Sequence, residues 1–418
     1  MINASIITIG DELLIGQTID TNSAFIAQEL NRIGVWVRRR VAVGDTRDEI
    51  WLALEEESRS SKIIILTGGL GPTDDDITKE VLCKYFGGKM VVNENVRAHV
   101  QYLFEKVYLR PGPILERNLK QAEVPDVCTV LHNARGSAPG MLFRKDDKLF
   151  FSLPGVPHEM KGLILNEVIP LLLKEFTMPA VVHRTAITAG QGESLIAERL
   201  LEFESSLPAD IRLAYLPSYG MVKLRLTSTG ENKEMVESLI QPYFEKMQLL
   251  LDDYLVANED VGLEVVVGRI LKEKGKTMGT AESCTGGYIA SLITSVAGSS
   301  DYFKGSVVSY ANEVKKNILG VSDDTLLAHG AVSESTVIEM VNGAIRNLRV
   351  DYALATSGIM GPGGGTETKP VGTVWIAVGN KDGCKTLKLN LRFDRQRNIM
   401  MTAAAALNFL RKFILANS

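Results

Sequence analysis

The chain holds only five histidines and four cysteines in 418 residues, and each shortage closes off a class of function. Cys83, Cys128, Cys284 and Cys384 form no C-x-x-C pair, which argues against a zinc site or a disulfide framework and suits a reducing compartment. The scarcity of histidine leaves few candidates for a Ser-His-Asp triad and turns the search toward other bases. Excess charge is also missing. The formal net charge is -4, and the one notable basic run, Arg38-Arg39-Arg40, is flanked by strand-like apolar residues, so no electrostatic footprint for direct nucleic-acid binding is present. No segment approaches the roughly 18 to 20 unbroken apolar residues of a membrane span. Met1-Ile2-Asn3-Ala4 leads straight into an apolar strand pattern, with neither a basic n-region nor a cleavage site; a cytoplasmic location is the expectation.

What is present is a globular composition, 45% hydrophobic and 23% charged, long enough for roughly two to three domains. From residue 5, strand-like runs at 5–9, 35–43 and 63–67 alternate with helical periodicity at 22–33 and 47–57. That β-α-β-α-β order implies parallel strands, right-handed crossovers and a doubly wound sheet whose ligand edge lies at the strands' carboxyl ends. A smaller α+β pattern follows, an acidic stretch at 252–262 reads as a linker, and strand and helix signals then alternate to a final helix at 396–415. The expected fold class is therefore α/β: two doubly wound-type α/β domains, 1–170 and 260–418, joined by a small α+β domain, 171–252.

Two constellations carry chemistry. In the C-terminal region, Ala281-Glu282-Ser283-Cys284-Thr285-Gly286-Gly287 follows a strand and opens a helix. This turn exposes a hydroxyl and aims helix-start amides, including those of Gly286 and Gly287, at whatever the hydroxyl attacks. The same residues also suit a plain helix cap by Ser283 or Thr285. Tyr310 ends the next strand, Asn312 is placed to cap the following helix, and Lys315 falls in its first turn, where the helix dipole and burial both lower an amine's pKa and make a general base. A solvated basic face made by Lys315 and Lys316 is the other reading. The glycines of Gly358-Ile359-Met360-Gly361-Pro362-Gly363-Gly364-Gly365 let a backbone approach a phosphate or an oxyanion; a surface loop is the alternative. Cys284, at a helix start, is a rival nucleophile.

In the N-terminal region, Gly68-Gly69-Leu70-Gly71-Pro72-Thr73-Asp74-Asp75-Asp76 lies between a strand and a helix, a design suited to phosphate. Its aspartates would repel that phosphate unless a cation intervened. With Asp11, Glu12 and Asp45 on the same expected edge they form an oxygen-rich set suited to a divalent metal bridging to a pyrophosphate. A run of helix-capping acids is the other reading.

These residues carry a resemblance. Ala281 to Gly287, Val307 to Lys315, Gly330-Ala331-Val332-Ser333, Gly358 to Gly365 and Lys369 to Trp375 resemble the nicotinamide-nucleotide amidase domain. Gly10-Asp11-Glu12-Leu13-Leu14, Asp20-Thr21-Asn22, Gly68 to Thr78 and Leu153 to Met160 are similar to the molybdopterin-binding-like part of the competence/damage-inducible CinA family. The resemblance implies deamidation of nicotinamide mononucleotide, without a cofactor, by Ser283 as nucleophile with Tyr310 and Lys315 as partners, and substrate contacts at Thr285, Gly286, Gly287, Gly361, Gly363 and Gly364. For the N-terminal part it implies metal-dependent pyrophosphate hydrolysis of ADP-ribose, with Gly10, Gly68, Gly69, Gly71 and Thr73 at the substrate and Asp11, Asp45, Asp75 and Asp76 at the metal. A homodimer is implied as well. Met360 stands where the family more often has alanine, and Ala134 departs from its usual asparagine-proline. The alternative is an amidase fused to a module that binds molybdopterin or a nucleotide without turning it over.

Overall fold

The computed structural model describes residues 2–73, 75–109 and 112–417. The chain divides into two compact units, Met1–Val182 with Thr229–Glu237, and His183–Ser228 with Ser238–Ser418. Asp74 lies outside the described residues.

In the first unit, β1 (Asn3–Ile9), β2 (Trp36–Val43) and β3 (Ile63–Thr67) are as the alternating pattern predicts. A two-stranded ribbon pairs β4 (Met90–Val92) with β5 (Glu123–Pro125). The main sheet is completed by β6 (Thr129–Leu131), β7 (Gly140–Lys145) and β8 (Lys148–Leu153) in the order β2-β1-β3-β8-β7-β6. Strands β2, β1, β3 and β8 are parallel, whereas β7 and β6 run antiparallel to their neighbours. The expected all-parallel sheet is thus mixed. A tight hairpin reverses the chain at Asp146 and Asp147, both in left-handed conformation with φ of 50° and 57°, as a two-residue hairpin turn demands. Alternation along the strands feeds two cores: Ala4, Ile6, Ile63 and Ile65 face one layer of helices and Ile7, Ile9, Ile64 and Leu66 the other.

The second unit contains two sheets. The smaller has the order β10-β11-β9-β12, built from β9 (Ala180–Ala189), β10 (Ile211–Ser218), β11 (Met221–Gly230) and β12 (Leu255–Ala257). The larger has the order β14-β13-β15-β16-β17, from β13 (Met278–Glu282), β14 (Phe303–Val308), β15 (Tyr352–Gly358), β16 (Thr373–Asn380) and β17 (Gly383–Asn390). Here too only β14, β13 and β15 are parallel; β16 and β17 are antiparallel. The last helix, Arg395–Ala416, is long and apolar enough to cross a membrane by length and composition. Its Ala403, Ala406, Leu407, Leu410 and Ile414 instead pack into the core of this sheet.

One buried cation stands out in the first unit. Lys79, near the start of the helix Thr78–Tyr85, is 8% exposed and donates to the Gln121 carbonyl at 2.9 Å and its Oε1 at 3.2 Å. Burial pushes its pKa down from 10.5 to about 8. The unfolded chain therefore holds this proton more tightly than the folded one, so stability rises as pH climbs from about 8 toward 10.5. Chemical denaturation against pH should show wild type gaining about 3 kcal/mol relative to Lys79→Met over that interval; parallel curves for the two proteins would refute it.

Candidate functional site

In the larger sheet of the second unit, every residue of β13 is buried between β14 and β15. Its end fixes the next residue: the Ser283 amide donates to the Thr356 carbonyl at 3.0 Å, and the Ser309 amide donates to the Glu282 carbonyl at 2.8 Å. Ser283 is thereby held between the carboxyl ends of β14 and β15, with 8% of its surface exposed.

Glu282 organises this turn, a role its sequence position alone did not reveal. Its side chain is wholly buried and accepts the amides of Gly287 and Ile289 at 3.0 Å and Ala290 at 2.8 Å, with the Thr280 hydroxyl at 3.2 Å. A carboxylate reaching from the strand thus satisfies the start of the helix Tyr288–Thr294. Two sequence readings change in consequence. Neither Ser283 nor Thr285 caps the helix: no side chain caps at Gly287, and the Thr285 hydroxyl pairs with that of Thr356 at 2.8 Å. The Gly286 and Gly287 amides do not point at a substrate, because Gly286 donates to the Ser283 carbonyl and Gly287 to Glu282. Both glycines have positive φ, 61° and 93°, a conformation for which glycine carries no Cβ penalty. Among the described residues the Thr285 amide has no acceptor.

Lys315 is 1% exposed and donates to the Ser309 carbonyl at 2.7 Å and the Tyr310 carbonyl at 3.2 Å. Burial holds its pKa below the usual 10.5, against an opposing effect of the nearby Cys284. The expected cap at Asn312 is not seen; the cap position is Ala311 and Lys315 is the fourth helical residue. Burial, more than the helix start, therefore accounts for the lowered pKa. The solvated basic face is limited to Lys316, which pairs with Asp323 at 2.6 Å. Cys284 lies in the apolar core, where burial pushes its thiol up to about 12, so the thiolate that the rival nucleophile requires is suppressed.

Tyr310 follows β14, which ends at Val308. Its side chain is 64% exposed and its hydroxyl accepts from Arg395 at 3.1 Å. The same guanidinium donates to the Gly361 carbonyl at 2.8 Å. Arg395, which sequence reading did not single out, thereby joins Tyr310 to the glycine loop. Gly361 and Gly364 have positive φ, and the amides of Gly361, Gly363 and Gly364 donate to no acceptor among the described residues. The Ser309 hydroxyl, fully buried, also has no partner among the described residues.

In the first unit, the Asp11 amide donates to Asp45 Oδ2 at 2.9 Å and the Asp45 amide to Asp11 Oδ1 at 3.2 Å. Burial, and then the charges of Asp11, Glu12 and Asp75, raise the Asp45 pKa. Asp76 instead turns back on its own loop, where its carboxylate accepts the Thr73 amide at 2.9 Å. Gly10 donates its amide to Val43 and Gly69 accepts from the Thr78 amide. A Cβ on Gly68 would meet the Ile9 carbonyl at 2.2 Å and one on Gly71 the Asp76 carboxylate at 2.4 Å. The expected metal set is thus an Asp11–Asp45 pair with Asp75 within electrostatic reach; no group of three or more ligating side chains forms among the described residues. A dedicated protein cage does not fit this arrangement. A magnesium-type ion does, because it keeps waters and binds through one or two carboxylates plus substrate phosphates. Two further polar atoms beside this loop, Asn22 Oδ1 and Thr78 Oγ1, are buried without partners among the described residues.

These two sites sit on recognisable domains. Residues 5–174 match a probable molybdopterin binding domain, 183–257 the damage-inducible protein CinA KH domain, and 260–414 the CinA C-terminal domain. Among full-length relatives, a CinA-like protein of Flavobacterium psychrophilum is 46% identical, covering 99% of both chains. A putative competence-damage inducible protein of Caldicellulosiruptor bescii is 40% identical, again covering 99% of both. A crystal structure of the competence/damage inducible protein CihA from Agrobacterium tumefaciens is 36% identical over 37% of this chain and 98% of that one, with a TM-score of 0.35. The chain belongs to the CinA family.

The Glu282 network is open to direct measurement. Glu282→Ala strands buried amides without an acceptor and should cost about 3 kcal/mol of stability in chemical denaturation. A loss below about 0.5 kcal/mol, the size of an ordinary surface substitution, would show that the carboxylate does not hold the turn.

Proposed function

We propose that residues 260–418 form a serine amidase that converts nicotinamide mononucleotide to nicotinate mononucleotide and ammonia. The buried Lys315, its pKa lowered by desolvation, carries this reading, because its amine reaches the Ser309 carbonyl, one strand across from Ser283. The neutral amine takes the Ser283 proton as Oγ bonds to the carboxamide carbon. The Thr285 amide serves the oxyanion. Lys315 returns the proton to the leaving nitrogen, which departs as ammonia, and water cleaves the acyl-enzyme, releasing nicotinate mononucleotide and restoring the Ser283 hydroxyl. Arg395 and the free amides at Gly361, Gly363 and Gly364 suit the nucleotide's phosphate. Tyr310 touches both halves of the site, its carbonyl on Lys315 and its hydroxyl on Arg395.

For the N-terminal domain the reading is a pyrophosphate hydrolase acting on ADP-ribose. A divalent ion, when bound, would neutralise the pyrophosphate. Asp11 and Asp45 would hold it, while the Gly68–Gly71 loop gives the phosphates close backbone approach. The orphaned Asn22 Oδ1 and Thr78 Oγ1 support a polar ligand there. They support a module that binds without turnover equally well, and release of AMP from ADP-ribose with added magnesium separates the two. Asp45→Asn should abolish that release if the site is hydrolytic.

Ammonia release from nicotinamide mononucleotide tests the first activity. Ser283→Ala and Lys315→Met should each lose at least a hundredfold in kcat, and Cys284→Ala should keep most of it; the reverse order would overturn the serine assignment. The rate should rise with pH as Lys315 loses its proton, with an inflection below 10.5. Arg395→Ala should raise KM for the mononucleotide severalfold and leave KM for nicotinamide riboside, which lacks the phosphate, nearly unchanged.

A further inference from the structure

The second unit contains a cavity of about 1000 Å³ that includes none of Ser283, Lys315, Tyr310 or Arg395. One wall is β17, whose inward alternation places Leu387 and Leu389 on the cavity, with Leu391 just beyond the strand. The other wall is the last helix. Met401, Ala405, Asn408, Phe409 and Lys412 recur at helical spacing along it and all line the space. This explains why that helix is apolar around so much of its circumference: one face fills the core, and a second faces a cavity. The remaining sides come from the smaller sheet, through the turn Gly190-Gln191-Gly192 and the β10–β11 turn at Tyr219.

One end of the cavity is polar, and its chemistry has a sign. Asn408 is 8% exposed. Its Oδ1 accepts from Arg411 at 3.1 Å, while its amide nitrogen, beside Gly190, donates to nothing among the described residues. The thirteen-residue helix Glu193–Ser205 begins next to it at Gly192 with no side-chain cap, so its first amides are free donors. Arg397 and Lys412 contribute the cations lining the cavity, Arg397 lying over the Phe393 ring at 4.0 Å. Glu193 is the one acid there, and it occupies the first helical position, where a carboxylate complements its own helix.

The geometry points to a binding site for a small amphipathic anion, with an aliphatic body between Leu387, Leu389, Met401 and Phe409 and an anionic head at Asn408, the Gly190–Gly192 turn and Lys412. Donors without acceptors among the described residues, at the Asn408 amide nitrogen and the first turn of the helix Glu193–Ser205, with Lys412 beside the cavity, favour an anion over a neutral or cationic ligand. The apolar walls on two opposed elements favour a chain-like body, and the volume matches the upper range of small-molecule pockets, about 300 to 1000 Å³.

Decanoate, held below its micellar concentration, is a suitable probe by titration calorimetry on the full chain, with decanol and decyltrimethylammonium as matched controls. Saturable binding of one decanoate per chain is expected, at least tenfold tighter than either control. Lys412→Glu and Asn408→Asp, which keeps the acceptor for Arg411 but removes the free donor, should each weaken it at least fivefold without shifting Tm by more than a few degrees, and Ala405→Trp should block it sterically. None of these residues belongs to the Ser283 site, and binding is read without turnover, so the outcome is independent of the amidase proposal. Equal binding of the anion and the cation, or no effect of the variants, would overturn the inference. So would sedimentation showing that Lys412→Glu separates a dimer in a protein that takes up no decanoate, since the groove would then belong to a second copy of the chain.

Discussion

The C-terminal site depends on a carboxylate that never meets solvent. Glu282 ends β13, an interior strand of its sheet, and collects three amides at the start of the next helix and a hydroxyl. A buried charge is tolerated only when its hydrogen-bonding capacity is met, and this one is met by the element that must start there. Strand end, turn and helix start are therefore fixed as one unit, with Ser283 between them. Gly286 and Gly287 follow from the same constraint, since the chain must turn tightly through two left-handed residues for Gly287, Ile289 and Ala290 to reach one carboxylate.

Much of this was legible in the sequence, though not its division of labour. The strand-turn-helix at Ser283, the glycine loop and the α/β class all follow from local pattern. What local pattern cannot supply is direction. A glycine amide at a helix start has the same signature whether it faces a substrate or a neighbouring carboxylate, and only the position of Glu282 decides. Lys315 illustrates the same limit. Its sequence neighbour Lys316 is an ordinary surface partner of Asp323, while Lys315 is buried, and the charge run alone does not distinguish them. Arg395 lies 85 residues from Tyr310 along the chain, a pairing that no spacing rule anticipates. The antiparallel edges were missed for a related reason. Asp-Asp at 146–147 is a weaker hairpin signal than a glycine-containing pair, and β17 alternates only modestly between apolar and lysine residues.

The aspartates of the first unit show how a motif can be correct in composition and divided in space. Asp11 and Asp45 are brought together from loops following different strands, as the edge of a parallel sheet predicts. Asp76, three residues from Thr73, is instead absorbed by its own turn, the short-range bond that aspartate makes readily. The raised pKa of Asp45 comes first from its partial burial and then from the like charges of Asp11, Glu12 and Asp75 left close to it. Among the described residues the protein provides too few ligating side chains to hold a cation firmly by itself, so under the proposed function the ion would arrive with the substrate's phosphate oxygens.

The last helix reaches both the Ser283 site and the cavity. Its first turn carries Arg395 to Tyr310 and Gly361, and its later turns divide between the sheet core and the cavity. Leu391, on the cavity wall, donates its amide to the Gly372 carbonyl at 2.8 Å, and Gly372 donates to Ile359 at the base of the glycine loop at 2.7 Å. An occupant of the cavity would therefore press on two elements that also end at the Ser283 site, one through a helix axis and one through consecutive backbone hydrogen bonds. Coupling between sites requires an element with two arrangements that both ligands bias. The glycine loop, with left-handed residues and free amides, is the segment with the fewest internal constraints on that path. A helix whose apolar surface exceeds what its own core needs is thus the physical reason this domain has room for the proposed anion beside the proposed nucleotide.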